Sequence, residues 1–136
     1  MRDIVMAALS VAELNRISNL VVGSAIEVHR ILGPGLLESV YEQCLAWELE
    51  QQKLVVERQV DLPLRYKDTL IQSVYRLDLL IQRELIVEVK AVDALQPVHT
   101  AQLLSYLKLK PARLGLLLNF NVDVLRKGIK RVVNEL

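Results

Sequence analysis

Two stretches of this 136-residue chain carry charged groups where their aliphatic neighbours leave least room for them. In Tyr75-Arg76-Leu77-Asp78-Leu79-Leu80-Ile81 an acid interrupts an apolar run, and in Leu85-Ile86-Val87-Glu88-Val89-Lys90 a Glu and a Lys share one strand face. Burying an unpaired carboxylate is costly, so each acid requires a cation or a hydrogen-bond donor nearby. If the two strands form a hairpin that turns about Arg83, Asp78 stands directly opposite Glu88, and Arg76 opposite Lys90. A register one residue off would send the two acids to different faces. Facing carboxylates repel unless a proton or a metal ion lies between them. Such a pair, with Lys90 two residues on, can hold a hard divalent cation with a positively charged head beside it. The same residues also permit a plain solvent-facing patch, with Glu88 paired to Lys90 and Arg76 neutralising Asp78.

Further polar residues fall at helical spacing. Gln102 and Tyr106 stand four apart and share a helix face beside an apolar stripe. They fit either a site or the polar margin of a core. In Gly35-x-x-Glu38-x-x-Tyr41 the acid falls in a first helical turn, where it also favours the helix dipole. His29 lies toward the apolar side of its helix and reads equally as a satisfied structural histidine. Cys44 is the only cysteine, which leaves zinc and thiol catalysis without a partner residue. Neither a Gly-rich phosphate loop nor a G-x-S-x-G elbow occurs.

The elements that must position these groups follow from periodicity. Ser10-Val-Ala-Glu13 has capping-box spacing, and Leu14, Ile17, Val21, Ala25, Val28 and Leu32 then mark a helix that Gly33-Pro34-Gly35 ends. A second helix is predicted over Leu36–Gln52, with Leu37, Val40, Tyr41, Leu45 and Leu49 on one face. Strand patterning follows in Leu54–Arg58 and Val60–Tyr66, where Pro63 points to a sheet edge or bulge. Lys67-Asp68-Thr69 is a turn, and Leu70–Ile81 and Leu85–Ala91 complete a meander. Pro97 opens a helix to about Leu109, with Ala101, Leu104 and Leu107 predicted toward the core. The apolar run Arg113–Phe120 reads as a strand buried on both faces, and Asp123 as the cap of a last helix, Val124–Asn134. A meander, a helix and a buried strand together imply a mixed α/β sheet closed by a crossover.

Composition sets the bounds. Leu, Ile and Val account for 53 residues, and the hydrophobic fraction is 52%, which excludes a disordered tail, a collagen-like repeat or a disulfide scaffold. One domain over 1–136 is expected, with residues 1–9 as an N-terminal tail. No apolar run reaches membrane-spanning length and no secretory signal is recognisable, so a cytoplasmic protein without membrane attachment is expected. The net charge of +1 hides an asymmetry: residues 1–100 hold 10 Lys and Arg against 14 Asp and Glu, and residues 101–136 hold 7 against 2. A basic C-terminal third suits a phosphate-backbone partner as well as a solvated face.

Gly33-Pro-Gly-Leu-Leu-Glu38-Ser-Val-Tyr41, preceded by Ala25-Ile-Glu-Val-His29-Arg, resembles the signature of the GxxExxY family of the PD-(D/E)XK nuclease superfamily. The likeness continues through Tyr75-Arg-Leu-Asp78, Val87-Glu88-Val-Lys90-Ala, Ala101-Gln102-x-x-x-Tyr106-Leu, Leu114-Gly-Leu-Leu-Leu-Asn119-Phe120 and Gly128-Ile-Lys-Arg131. Leu77 stands where the superfamily's name has Pro, a common departure. The resemblance implies a restriction-endonuclease-like core of helix, three-strand meander, helix and strand, with an extra N-terminal helix and a C-terminal helix.

It further implies residue roles. Asp78 and Glu88 would ligate Mg²⁺ or Mn²⁺, with the Val89 carbonyl as a third ligand and Glu38 as a further acidic ligand or water orienter. Lys90 would position or activate the attacking water and offset charge on the scissile phosphate. Gln102 and Tyr106 resemble the Q-x-x-x-Y feature of recombination-type nucleases, and His29 and Tyr41 would line the site. Lys108, Lys110, Arg113, Arg126, Lys127, Lys130 and Arg131 could track a nucleic-acid backbone. The implied activity is metal-dependent hydrolysis of phosphodiester bonds in DNA, with RNA left open. A chain this short leaves little room for a separate specificity domain, so a protein partner, a homodimer or structure-directed rather than base-specific recognition is expected. The alternative is a weakly active or inactive nuclease-fold module that binds nucleic acid or protein.

Overall fold

In the computed structural model, which describes residues 8–136, the apolar pattern resolves into three helices and five strands: α1 Val11–Leu32, α2 Glu38–Gln51, β1 Val56–Tyr66, β2 Thr69–Ile81, β3 Leu85–Lys90, α3 Pro97–Leu109, β4 Leu114–Asn119 and β5 Ile129–Val133. Most of the tail expected over 1–9 lies outside the described residues. The strands lie side by side in chain order in one sheet. Only the β3–β4 pair is parallel, and α3 is its crossover, which covers one sheet face. Helices α1 and α2 cover the other.

Local chemistry accounts for the boundaries. Ser10 and Glu13 exchange side-chain and backbone hydrogen bonds at 2.9 and 3.0 Å, a complete capping box that starts α1. Gly33 and Gly35, both at positive φ, end it. Pro63 falls on edge strand β1, where the register against β2 shifts between Leu62 and Leu64. Strand β4 is buried along its whole length, as its unbroken apolar run requires.

Three sequence expectations need correction. Residues Val124–Asn134 are not a helix: a 3₁₀ turn over Leu125–Gly128 leads into β5, which pairs antiparallel with β4. Without that pairing β4 would bury a row of unmatched backbone groups, and Ile129, Val132 and Val133 are β-branched. On α2, Tyr41, Leu45 and Leu49 are buried, but Leu37 is 72% exposed and Val40 also faces outward. On α3 the inward stripe is Leu103, Tyr106 and Leu107, with Ala101 exposed. Four-residue spacing alone left the phase of that stripe open.

Two apolar layers flank the sheet. One joins α1 and α2 to Leu79, Ile81, Leu85, Val87, Val89, Leu116, Leu118 and Phe120. The other joins α3 to Leu62, Leu77, Leu80, Ile86, Leu117 and Val132. In a regular strand, residues of equal parity share a face. Leu77 and Leu79 do not, and neither do Val56 and Val60 on the paired strand. Both strands of the hairpin therefore exchange faces at one point, between Arg58 and Val60 on β1 and between Leu77 and Leu79 on β2. Gln59 sits at that point with φ of 51°, a left-handed conformation that costs a side-chain-bearing residue about 1 kcal/mol.

The end of β4 is fixed by close packing against the turn before β5. A Cβ placed on Gly128 would lie 2.1 Å from the carbonyl oxygen of Asn119, an overlap with backbone that cannot rotate away. Gly128→Ala should therefore lower stability by about 1–3 kcal/mol in urea unfolding, whereas the same change at exposed Gly23, which has open space around it, should be neutral or slightly stabilising.

Candidate active site

The hairpin register is the one expected from a turn about Arg83: Leu79 faces Val87, Leu80 faces Ile86 and Ile81 faces Leu85. One step further along that register are Asp78 and Glu88, and there the backbone pairing stops. The carboxylates take over. The Asp78 N–H donates to Glu88 Oε2 at 2.9 Å, and the Val89 N–H donates to Asp78 Oδ2 at 2.8 Å. Backbone donors on each side of the opening are thus satisfied by acids from the opposite strand, and each acid is held by a main-chain N–H. The alternative in which Arg76 neutralises Asp78 is not realised, because Arg76 reaches Asp61 at 3.4 Å. Lys90 joins none of the ion pairs among the described residues.

Burial dominates the electrostatics, with neighbouring acids adding to it. Glu88 is 4% exposed. Burial, and then the charge of Asp78, push its carboxyl up to about 8, while Lys90 acts in the opposite direction. Asp78 is also raised, first by burial, against the opposing effects of the Val89 N–H and Lys90. Burial, with the Asp78 charge beside it, therefore favours the protonated form of Glu88 at neutral pH. Tyr106 is raised too, by burial and then by the charge of Glu88, so its hydroxyl stays protonated as a donor. Gln102 lies beside that hydroxyl, and the Tyr106 ring packs against Tyr75 with centroids 5.4 Å apart.

Helix α2 and strand β4 frame the opening. Glu38, in the first turn of α2, accepts from the Ala91 N–H at 3.0 Å, which seats it next to Lys90. Asn119, 1% exposed, faces Lys90 across β3 and β4. Its side chain accepts from the Val92 N–H at 3.0 Å and donates to the Val92 carbonyl at 2.9 Å, while the Phe120 N–H donates to the Lys90 carbonyl at 2.9 Å. The chain on either side of the Lys90 side chain is thereby pinned.

Asp78, Glu88, Lys90, Glu38, Gln102 and Tyr106 therefore lie around one opening. His29 and Tyr41 support the scaffold instead. Tyr41 is fully buried and stacked on Phe120 at 4.5 Å, and its hydroxyl accepts from the Leu36 N–H and donates to the Gly33 carbonyl. Through its Nε2, His29 donates to the Val122 carbonyl at 2.8 Å. Both hold the loops that launch α2 and follow β4.

The basic residues of the C-terminal third do not form one stripe. Lys127 pairs with Asp123, Arg113 with Glu84, and Arg131 bonds Asn15 on the α1 side. Lys110 borders a depression with Glu57 and Asp61, and Arg126 another with His29 and Arg30. Lys130 differs. Glu88, Leu117 and Lys130 follow one another in register across β3, β4 and β5 on the α3 face, roughly 10 Å from first to last. Lys130 also borders a depression with Gln96, Pro97 and Thr100 at the start of α3.

Sequence reasoning missed Glu42. It is 6% exposed on α2, one turn after Glu38, and accepts from Arg58 Nε at 3.2 Å and Gln59 Nε2 at 2.8 Å. The four-residue interval from Glu38 was a usable signal. Gln59 left none, because its importance comes from the face exchange.

Among the described residues no three His, Cys, Asp or Glu side chains converge on one point as a metal cage. The donor set still suits a hard divalent ion, since Mg²⁺ uses one or two carboxylates and keeps several waters. Asp78 and Glu88 supply the two carboxylates, and the main-chain carbonyl of Val89 lies between Glu88 and Lys90 in sequence.

Because folded Glu88 holds its proton up to about pH 8, whereas an unfolded Glu releases it near 4.5, the folded state binds more protons across that window. Stability of the metal-free protein should fall as pH rises from about 5 to 8, by on the order of a few kcal/mol in total. Glu88→Gln should flatten the profile, and added Mn²⁺ should raise the melting temperature more at pH 8 than at pH 5.5. Thermal unfolding monitored by circular dichroism checks both.

A family model described as the PD-(D/E)XK nuclease superfamily matches residues 15–132, which takes in all three helices and all five strands except the first turn of α1 and the last residue of β5. No curated protein and no solved structure matches the chain. Among the described residues, no helix is long and apolar enough to cross a membrane.

Proposed function

The chain belongs to the PD-(D/E)XK nuclease superfamily, and from that premise we propose that it is a metal-dependent nuclease that hydrolyses phosphodiester bonds in DNA. The observation that carries this reading is the opened ladder between β2 and β3, where Asp78 and Glu88 hold each other's backbone donors and carry too much negative charge for their degree of burial. A divalent ion, Mg²⁺ or Mn²⁺, bound there would lower the pKa of a coordinated water and screen the phosphate.

The remaining tasks fall to this chain's own groups. Asp78 and Glu88 arrive pre-oriented by main-chain N–H donors, so little reorganisation is needed on binding. Lys90, in no ion pair among the described residues and on the same face as Glu88, directs its ammonium at the attacking water and offsets charge gathering on the phosphate oxygens. Tyr106, kept protonated, donates a hydrogen bond toward the phosphate with Gln102 beside it. Glu38 orients water from the start of α2. Lys130 extends the positive surface along the substrate backbone.

Two experiments test this reading. Purified protein is incubated with single-stranded, nicked and branched DNA in Mn²⁺. Cleavage by the wild type with at least about 100-fold loss in Asp78→Ala and Lys90→Ala is expected. Equal cleavage by wild type and Lys90→Ala would sink it. Saturable Mn²⁺ and DNA binding with no turnover would instead favour a binding module. In the second experiment, the salt dependence of DNA affinity is measured for Lys130→Ala and Arg131→Ala. The first should reduce the slope by about one ion and the second should leave it unchanged, because Arg131 lies on the α1 side.

A further inference from the structure

We infer that Gln59 is a positioning residue through which Glu42 and Arg58 fix the Asp78 carboxylate for cation binding. This rests on the reading of Asp78 and Glu88 as a cation site, and it assigns a role to three residues outside that site.

Three independent features meet at Gln59. The first is its backbone. Left-handed φ at a residue other than glycine persists only where the surroundings hold it, and such strain collects at functional positions. Here the strain coincides with the exchange of faces by which both hairpin strands pass from the α1–α2 layer to the α3 layer. Without that exchange, Leu77 would share the layer of Leu79 and Asp78 would emerge at a different angle from the strand.

The second feature is the side chain. Gln59 Nε2 donates to Glu42 Oε1 at 2.8 Å and lies 3.5 Å from Asp78 Oδ1. An amide nitrogen set between two carboxylates can present only N–H groups to both, so the flip state of the amide is determined. Asp78 Oδ2 is already held by the Val89 N–H. With Oδ1 facing Gln59, the carboxylate plane has a contact on each oxygen, and each oxygen keeps a lone pair for a cation.

The third feature is the anchor behind the amide. Glu42 is buried, and Arg58 meets its other oxygen with both Nε at 3.2 Å and a terminal nitrogen at 3.1 Å. Both Glu42 oxygens are thereby occupied, one by Arg58 and one by Gln59. Glu42 acts as the fixed post against which Gln59 is braced, and its proximity to Asp78 would be repulsive without the amide between them and the guanidinium on its other oxygen. Helix α2 thus reaches the opened ladder twice, directly through Glu38 and indirectly through Glu42 and Gln59.

The test uses Gln59→Gly, which tolerates the left-handed backbone while removing the amide, and Gln59→Asn, which also tolerates it and restores an amide one carbon shorter. Mn²⁺ affinity is measured by isothermal titration on the full chain, and melting temperature on the metal-free protein. Gln59→Gly is expected to weaken Mn²⁺ binding by about tenfold with only a small change in the metal-free melting temperature, because relief of the left-handed strain offsets the lost bond to Glu42, and Gln59→Asn to recover part of the affinity. Mn²⁺ affinity within twofold of wild type in Gln59→Gly overturns the inference. So does loss of affinity that tracks a fall in melting temperature, which is the signature of a structural role. Asp78→Ala serves as the reference: if it too leaves Mn²⁺ binding intact, the cation site itself is wrong, whereas loss in Asp78→Ala alone removes only the role of Gln59.

Discussion

Everything in the candidate site depends on the point at which β2 and β3 stop pairing. A hairpin that continued past Leu79 and Val87 would satisfy its backbone groups across the ladder and turn Asp78 and Glu88 into two repelling surface acids. Instead each carboxylate accepts from the other strand's main chain. The backbone donors freed by the opening hold the acids, and the acids satisfy the donors. Neither could be buried without the other, since an unpaired N–H and an unpaired carboxylate are both costly away from water. Burial, and then the Asp78 charge, keep Glu88 protonated well above its usual range.

The rest of the molecule keeps that opening in place. The parallel pairing of β3 with β4 continues through Lys90 and Asn119, past the point at which β2 leaves β3 and stays paired with β1. The departing pair is steered by the exchange of faces at Gln59, and Leu77 and Leu62 then pack under α3. Helix α2 closes the third side, its first turn on Ala91 and its buried Glu42 on Arg58 and Gln59. Tyr41 and His29, polar members of the N-terminal motif, contribute by holding the Gly33–Leu36 loop and the segment after Phe120. Their effect on the site runs through the position of α2 and the end of β4.

Much of this was legible in the sequence, and for identifiable reasons. The facing of Asp78 and Glu88 followed from a three-residue turn and the two-residue period of a strand, which leave one register that keeps both acids on one face. The burial of β4 followed from its uninterrupted apolar run. The C-terminal segment was misread because Leu125, Ile129, Val132 and Val133 fit helical spacing as well as they fit a strand. Only the unpaired edge of β4 breaks that tie. The phase of α3 was off by a residue or two for a similar reason, since its sequence is apolar on more than one side. The basic C-terminal third looked like a single patch in the chain and is split by the sheet, because adjacent strand residues such as Lys130 and Arg131 point to opposite faces.

By itself, then, the sequence determined the kinds and order of the elements as far as β4, and the placement of two acids and a lysine on one hairpin, because these depend on local periodicity and on residues close together in the chain. Tertiary structure alone decided which distant groups meet them. Glu42 and Glu38 come from a helix that precedes the hairpin, and Gln102 and Tyr106 from the crossover that follows it. Their approach depends on which sheet face each element covers. Gln59 shows the limit most clearly: nothing in its neighbours announces a left-handed residue, and its conformation follows from the competing demands of two apolar layers on one pair of strands.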